Sequence, residues 1–109
     1  MGLAASQGRF LALTSRKSDL EYQGQLVNQN RMTISYRTEA LFNNAALVDP
    51  DSTEYTRIMN SIENYHVQDR VLELELKNLD TQQKEVQTEI DSVKKVIDKN
   101  IEMTFKTFA

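Results

Sequence analysis

Cysteine and tryptophan are absent from this 109-residue chain, which also has only one proline and three glycines. Without cysteine there is neither a disulfide framework nor thiol chemistry. An all-β protein of this length would need many more turn-forming residues. The composition therefore favours an all-α protein. It suits equally a reducing cytoplasm and export in an unfolded state without a cleaved signal peptide.

Long apolar runs are missing as well. We expect no transmembrane segment, because no stretch of about 20 apolar residues occurs. The start of the chain lacks the basic residues and continuous apolar core of a secretory signal. Hydrophobic residues make up 39% of the chain, which suits helices that each bury one apolar stripe. The net charge is −3 and the basic residues are not clustered, so nucleic acid is not expected as a partner.

Sequence motifs of catalysis are also absent, including the nucleophile elbow, the P-loop and the dinucleotide fingerprint. Glu63 and His66 have the spacing of half a di-metal site in helical bundles. A metal site needs further ligands that converge on the ion, and His66 is the only histidine. We interpret this pair as solvated helix surface, and we predict no enzymatic activity, no metal site and no cofactor.

The second half of the chain has a strict helical pattern, in which spacings of three and four residues alternate. The positions in this pattern are Ile58, Ile62, Tyr65, Asp69, Leu72, Leu76, Leu79, Gln83, Val86, Ile90, Val93 and Ile97. A period of 3.5 residues predicts a coiled-coil seam. Asp69 and Gln83 interrupt this seam. Buried polar residues at such positions set register and oligomeric state, so we interpret both as register-setting, with water-exposed seam positions as the alternative.

The first half has a weaker seam. Apolar residues recur every seven positions, at Leu13, Leu20, Val27, Ile34, Leu41 and Val48. The companion positions, three residues earlier, are Phe10, Lys17, Gly24, Arg31, Thr38 and Ala45. Half of this seam is polar or small, so the first helix can pair with the second but does not have a self-sufficient seam.

Pro50 separates the two patterns and predicts a turn at residues 49–51. Asp51 is the predicted N-cap of the second helix, with Glu54 three residues later. We therefore predict a single all-α domain over residues 1–109, folded as a long antiparallel helical hairpin with a coiled-coil seam. Its arms span residues 3–48 and 52–107, and residue i lies roughly opposite residue 100 − i.

The continuity of the first arm stays open at this point. Ser18 and Glu21 form an internal capping box, which predicts a break near residues 14–18 and a separate short helix before it. The alternative is a continuous helix with Ser18 facing solvent.

Several apolar residues lie off the seam or beyond the end of the first arm. Exposed apolar patches usually mark association sites. The predicted assembly residues are Phe10, Leu11, Val67, Val71, Leu74, Ile97, Ile101, Phe105 and Phe108.

Two stretches of the chain carry a resemblance to known proteins. Residues 5–16, ASQGRFLALTSR, resemble the start of small uncharacterised bacterial coiled-coil proteins. Residues 93–101, VKKVIDKNI, followed by Phe105 and Lys106, resemble their end. In overall plan the chain is similar to the helical subunits of type III secretion and flagellar-type filaments. This similarity implies a structural, self-assembling subunit of an exported bacterial filament or surface assembly.

Two alternatives remain for the function. One is a cytoplasmic coiled-coil adaptor, chaperone or scaffold, whose partner is another helical protein rather than a second copy. The other is a membrane-associated protein acylated at Gly2, because the first six residues match the N-myristoylation pattern.

Overall fold

The structure is a computed structural model that describes residues 2–108, with the side chain of Phe108 left out. Helix α1 spans Leu3–Ala45 and helix α2 spans Thr53–Phe108. The two helices pack against each other as an antiparallel hairpin, and the described residues contain no strand. The predicted all-α helical hairpin is thus confirmed.

Helix α1 is unbroken and Ser18 is exposed, so of the two alternatives that the sequence left open the continuous helix is the one observed, and the break near residues 14–18 with a separate short N-terminal helix is not. The hydroxyl of Thr14 donates a hydrogen bond of 2.8 Å to the carbonyl of Phe10, one turn earlier in the same helix. Seam residues Leu13 and Leu20 are both buried. A break between them would change the helical phase and turn one of the two away from α2.

The turn is longer than the sequence predicted, because α1 ends at Ala45 rather than at residue 48. The amides of Leu47 and Val48 donate to carbonyls three residues earlier, those of Asn44 and Ala45, at 3.1 and 3.3 Å. Such bonds tighten the last turn and satisfy carbonyls that the helix leaves free.

The N-cap of α2 is Ser52, which corrects the prediction of Asp51. The Ser52 hydroxyl accepts a bond from the amide of Tyr55 at 3.1 Å and donates to the carbonyl of Asp49 at 2.6 Å. The amide of Asp51 donates to the Asp49 carboxylate at 3.0 Å, so Asp51 lies within the turn. Serine and aspartate cap equally well, and the local backbone decides between neighbours.

The antiparallel register agrees with the prediction. Arg31 bonds to Asp69, the residue that the relation of i to 100 − i assigns to it. Two other cross-helix pairs are displaced from this relation by two residues, and they are Arg9 with Glu89 and Arg16 with Gln82.

The chain divides into two compact units, and each unit contains residues from both helices. The first unit comprises Met1–Gln23 and Leu79–Ala109. Its core is a run of seam residues from both helices, namely Leu13, Leu20, Leu79, Val86, Ile90 and Val93. Ser6 is completely buried on the same side of α1, and its hydroxyl has no hydrogen-bond partner among the described residues. The small side chain leaves room for close contact between the helices.

The second unit comprises Gly24–Asn78 and includes the turn. Only Val27, Ala45 and Ile62 among its hydrophobic residues are buried. The other apolar seam residues of this unit are half-buried, and they are Ile34, Leu41, Val48, Ile58, Tyr65, Leu72 and Leu76. This unit therefore has a thinner core and leaves more apolar surface beside the seam.

Candidate functional site

The last turns of α2 expose apolar side chains, and we call residues 98–108 the tail. Beyond Ile97 the seam positions become polar, with Asn100, Thr104 and Thr107. The apolar residues Ile101, Met103 and Phe105 fall off the seam and are 50%, 59% and 75% exposed. The chain therefore ends its intramolecular seam at Ile97 and then presents apolar side chains in a different direction.

The start of α1 and the tail line one groove. Leu3 lines an apolar groove of about 360 Å³ together with Ile101, Thr104 and Phe105. Ile97, a predicted assembly residue, is half-buried at the end of the seam. The side chain of Phe108, another predicted assembly residue, lies outside the described residues.

Phe10 and Leu11 were both predicted to be assembly residues, but the structure separates them. Phe10 is a half-buried seam residue, and the Lys94 ammonium lies 5.8 Å from the centre of its ring, which is within the range of a cation–π contact. Leu11 lies on the outside of α1 and is 68% exposed. Phe10 thus packs within its own chain, and of the two residues only Leu11 is exposed on the surface.

The second unit has an apolar groove beside the seam, which we call the lateral groove. Its volume is about 510 Å³, and α1 contributes Asn30, Thr33, Ile34 and Arg37 while α2 contributes Val67, Gln68, Val71 and Leu72. The predicted assembly residues Val67, Val71 and Leu74 share one face of α2 and are 48%, 59% and 61% exposed. The structure brings Val67 and Val71 into the groove.

A second groove, of about 590 Å³, lies within the same unit and is lined by Arg31, Phe42, Tyr65, His66 and Asp69, among others. Across residues 2–108 there is no group of three or more His, Cys, Asp or Glu side chains placed to hold a metal ion. His66 is exposed, as is Glu63. Neither groove contains the convergent donor set that metal chemistry requires.

The two charged seam residues of this unit pair with each other. Arg31 donates from Nε to Oδ1 of Asp69 at 2.9 Å and from Nη2 to Oδ2 at 3.2 Å. The hydrogen bond from Arg31 holds the pKa of the Asp69 carboxyl below its ordinary value, and the same bond raises the pKa of Arg31. A bidentate pair of this kind has strict geometry, and the register-setting role of Asp69 stays a prediction.

The sequence pattern places both Arg31 and Asp69 in the seams, but their ion pair was not predicted. The predicted register places residue 69 opposite residue 31. The positive charge of one and the negative charge of the other were therefore enough to predict the ion pair from the sequence. Gln83, the other predicted register-setting residue, is half-buried. Its neighbour Gln82 accepts a hydrogen bond from Arg16 at 3.4 Å.

Part of the exposed apolar surface was also not predicted from the sequence. Five large side chains of the second unit are exposed without having been predicted as assembly residues, and they are Leu26, Met32, Tyr36, Phe42 and Leu47. They belong to α1 and the turn, where the seven-residue pattern is weak, and no regular spacing connects them. Only the packing of the two helices shows which residues the seam leaves outside.

Comparison with models of known protein families, with curated proteins and with solved structures finds no match for this chain. None of the helical segments within residues 2–108 has the length and apolar character needed to cross a bilayer.

Proposed function

We propose that this chain is a structural subunit that assembles with copies of itself, of the kind that builds an exported bacterial filament or surface assembly. The observation that carries the proposal is the exposed tail of α2, where Ile101, Met103 and Phe105 extend beyond the apolar seam. Burying one large apolar side chain is worth about 1.5–3 kcal/mol, so covering the tail supplies a substantial driving force for association.

The sequence of the tail supports this use. Its seam positions are polar, so it is not a continuation of the intramolecular coiled coil. Its charged residues Asp98, Lys99, Glu102 and Lys106 have no net charge together, so repulsion between tails does not oppose assembly. The similarity in plan to secretion and flagellar filament subunits agrees with a role in assembly.

The test is removal of the tail. We expect a protein lacking residues 98–109 to remain helical by circular dichroism but to lose the assemblies that the full chain forms. Sedimentation and electron microscopy of concentrated protein measure the outcome. A full-length chain that stays monomeric at high concentration would contradict the proposal.

A full-length variant makes the test sharper. The double substitution Ile101→Ser and Phe105→Ser keeps the chain length and removes the apolar side chains. Tyr22→Ser is the matched control, because Tyr22 is also an exposed large side chain and lies outside the predicted assembly residues. The double variant should lose assembly and the control should retain it. A discrete complex with a different helical protein, formed while the purified chain stays monomeric, would favour the adaptor or scaffold function.

A further inference from the structure

We propose that the tail of one copy docks into the lateral groove of the next copy, so that the chain assembles head to tail. This inference rests on the proposed function and specifies its interface. The two surfaces are exposed apolar features, one in each unit of the chain. The tail presents Ile101 and Phe105, and the groove presents Val67 and Val71.

Charge complementarity selects the tail as the occupant of the groove. The groove has one charged lining residue, Arg37, and within residues 2–108 it has no ion-pair partner. Asp98 is an exposed acid on the same face of the tail as Ile101 and Phe105, and it is likewise unpaired there. The apolar residues of the tail therefore follow an acid, Asp98, and the apolar residues of the groove lie beside a base, Arg37, so the two surfaces are complementary in charge.

The spacing of the two surfaces also matches. Ile101 and Phe105 are four residues apart, as are Val67 and Val71, so both pairs span about 6 Å along a helix. When Ile101 lies against Val67, Phe105 reaches Val71. Asp98 then reaches the level of Asn64, next to the exposed Glu63, which the hairpin register places opposite Arg37. The tail therefore runs parallel to α2 of the copy that receives it.

The occupant comes from a second copy. Val67 and Val71 form one wall of the groove and belong to the same unbroken helix as the tail, so the tail of the same chain is excluded. Docking of one surface on a different surface of the next copy is heterologous. Such contacts generate either rings or open filaments, and an open assembly keeps a free groove at one end and a free tail at the other unless a ring closes.

The decisive experiment mixes two variants that each lack one surface. Val71→Asp removes the groove and Phe105→Asp removes the tail, and both positions are exposed enough to accept the change. We expect each variant alone to be monomeric, with the concentration needed for assembly raised roughly 10-fold or more. Mixed in equal amounts, they should form a 1:1 complex of twice the 12.6 kDa mass of one chain, measured by light scattering.

The outcomes separate the head-to-tail interface from its competitors. Self-association of Phe105→Asp alone would indicate groove-to-groove pairing, and self-association of Val71→Asp alone would indicate tail-to-tail pairing. Either result overturns the inference, as does a mixture that stays monomeric while the native chain assembles. If the native chain does not assemble, the proposed function fails too. Circular dichroism checks folding, and Val71→Ser with Phe105→Ser replaces any variant that unfolds.

A charge reversal tests the register of docking. Arg37→Asp and Asp98→Arg should each weaken assembly, and the two together in one chain should restore it, because every interface then contains the exchanged pair. Glu85→Arg, which reverses an exposed acid elsewhere on α2, serves as the control and should leave assembly unchanged. Failure of the double variant to recover while both single variants are weakened would overturn the pairing of Asp98 with Arg37.

Discussion

Arg31 and Asp69 form a bidentate ion pair between the two helices, with the guanidinium Nε 2.9 Å from the carboxylate. Both residues occupy seam positions that an uninterrupted coiled coil would fill with apolar side chains. Their pairing compensates for the loss of apolar contact only when the two helices are in the observed register. A shift of one helix by a turn would leave both charges without their partner.

We expect Asp69→Asn to lower the melting temperature by a few degrees at neutral pH, because it leaves the Arg31 guanidinium against a neutral group. The matched control is Asp80→Asn, which removes the acid of an exposed pair one turn from Lys84. Exposed pairs of that kind contribute little, so the control should melt close to the native chain. Equal effects of the two substitutions would contradict a special role for Asp69.

The same pair predicts a pH dependence. Because the folded pKa of Asp69 is lowered, its contribution to stability is complete above the ordinary carboxyl pKa, at about pH 4. The contribution is lost as the pH falls through the lower folded pKa. The difference in melting temperature between the native chain and Asp69→Asn should therefore be constant near neutral pH and shrink in acid. A difference that persists unchanged to the lowest measurable pH would rule out this origin.

Two leucines on α2 test the seam. Leu79 is 5% exposed and Leu74 is 61% exposed, although both are leucines on one helix. We expect Leu79→Ala to lower the free energy of unfolding by about 2–5 kcal/mol, through lost burial and the cavity left behind. Leu74→Ala should change it by no more than about 0.5 kcal/mol in the monomer. Denaturant melts at low protein concentration measure both, and a reversed order would contradict the observed seam.

The cap of α2 provides a third comparison. Ser52→Ala removes the hydroxyl that accepts the amide hydrogen of Tyr55, and we expect a loss of about 0.5–2 kcal/mol in the free energy of unfolding. Asp51→Ala should have a smaller effect, since it is the amide of Asp51, rather than its side chain, that bonds to Asp49. A larger loss of unfolding free energy from Asp51→Ala than from Ser52→Ala would indicate that Asp51 is the N-cap, as the sequence predicted.

Gln83 tests the second polar seam position. Gln83→Leu should raise the melting temperature, because it places an apolar group in a half-buried seam, and it should also broaden the distribution of oligomeric states. Gln82→Leu is the control, and it removes the acceptor of the Arg16 hydrogen bond without filling the seam. Light scattering and thermal melts report both properties. A lowered melting temperature with an unchanged oligomeric state would instead indicate a specific hydrogen bond at Gln83.

The sequence by itself determined the helical seams, the position of the turn and the antiparallel register of this protein. All three follow from short-range rules, because a 3.5-residue period fixes which face of a helix is apolar and one proline fixes where the helices separate. With the turn at Pro50, Arg31 could only meet the region of Asp69. The apolar tail beyond Ile97 was also visible, since the seam positions that follow, Asn100, Thr104 and Thr107, are polar while Ile101 and Phe105 lie off the seam.

Tertiary structure decided the features that depend on contacts of a few ångströms. The continuity of α1 near Ser18 was decided by burial of Leu13 and Leu20 on the same face, which outweighed a local capping signal. The choice of Ser52 over Asp51 followed from the backbone of the turn, because a cap must reach one particular amide. Packing also separated Phe10, which lies in the seam, from Leu11, which faces outward, although the two are adjacent in the sequence.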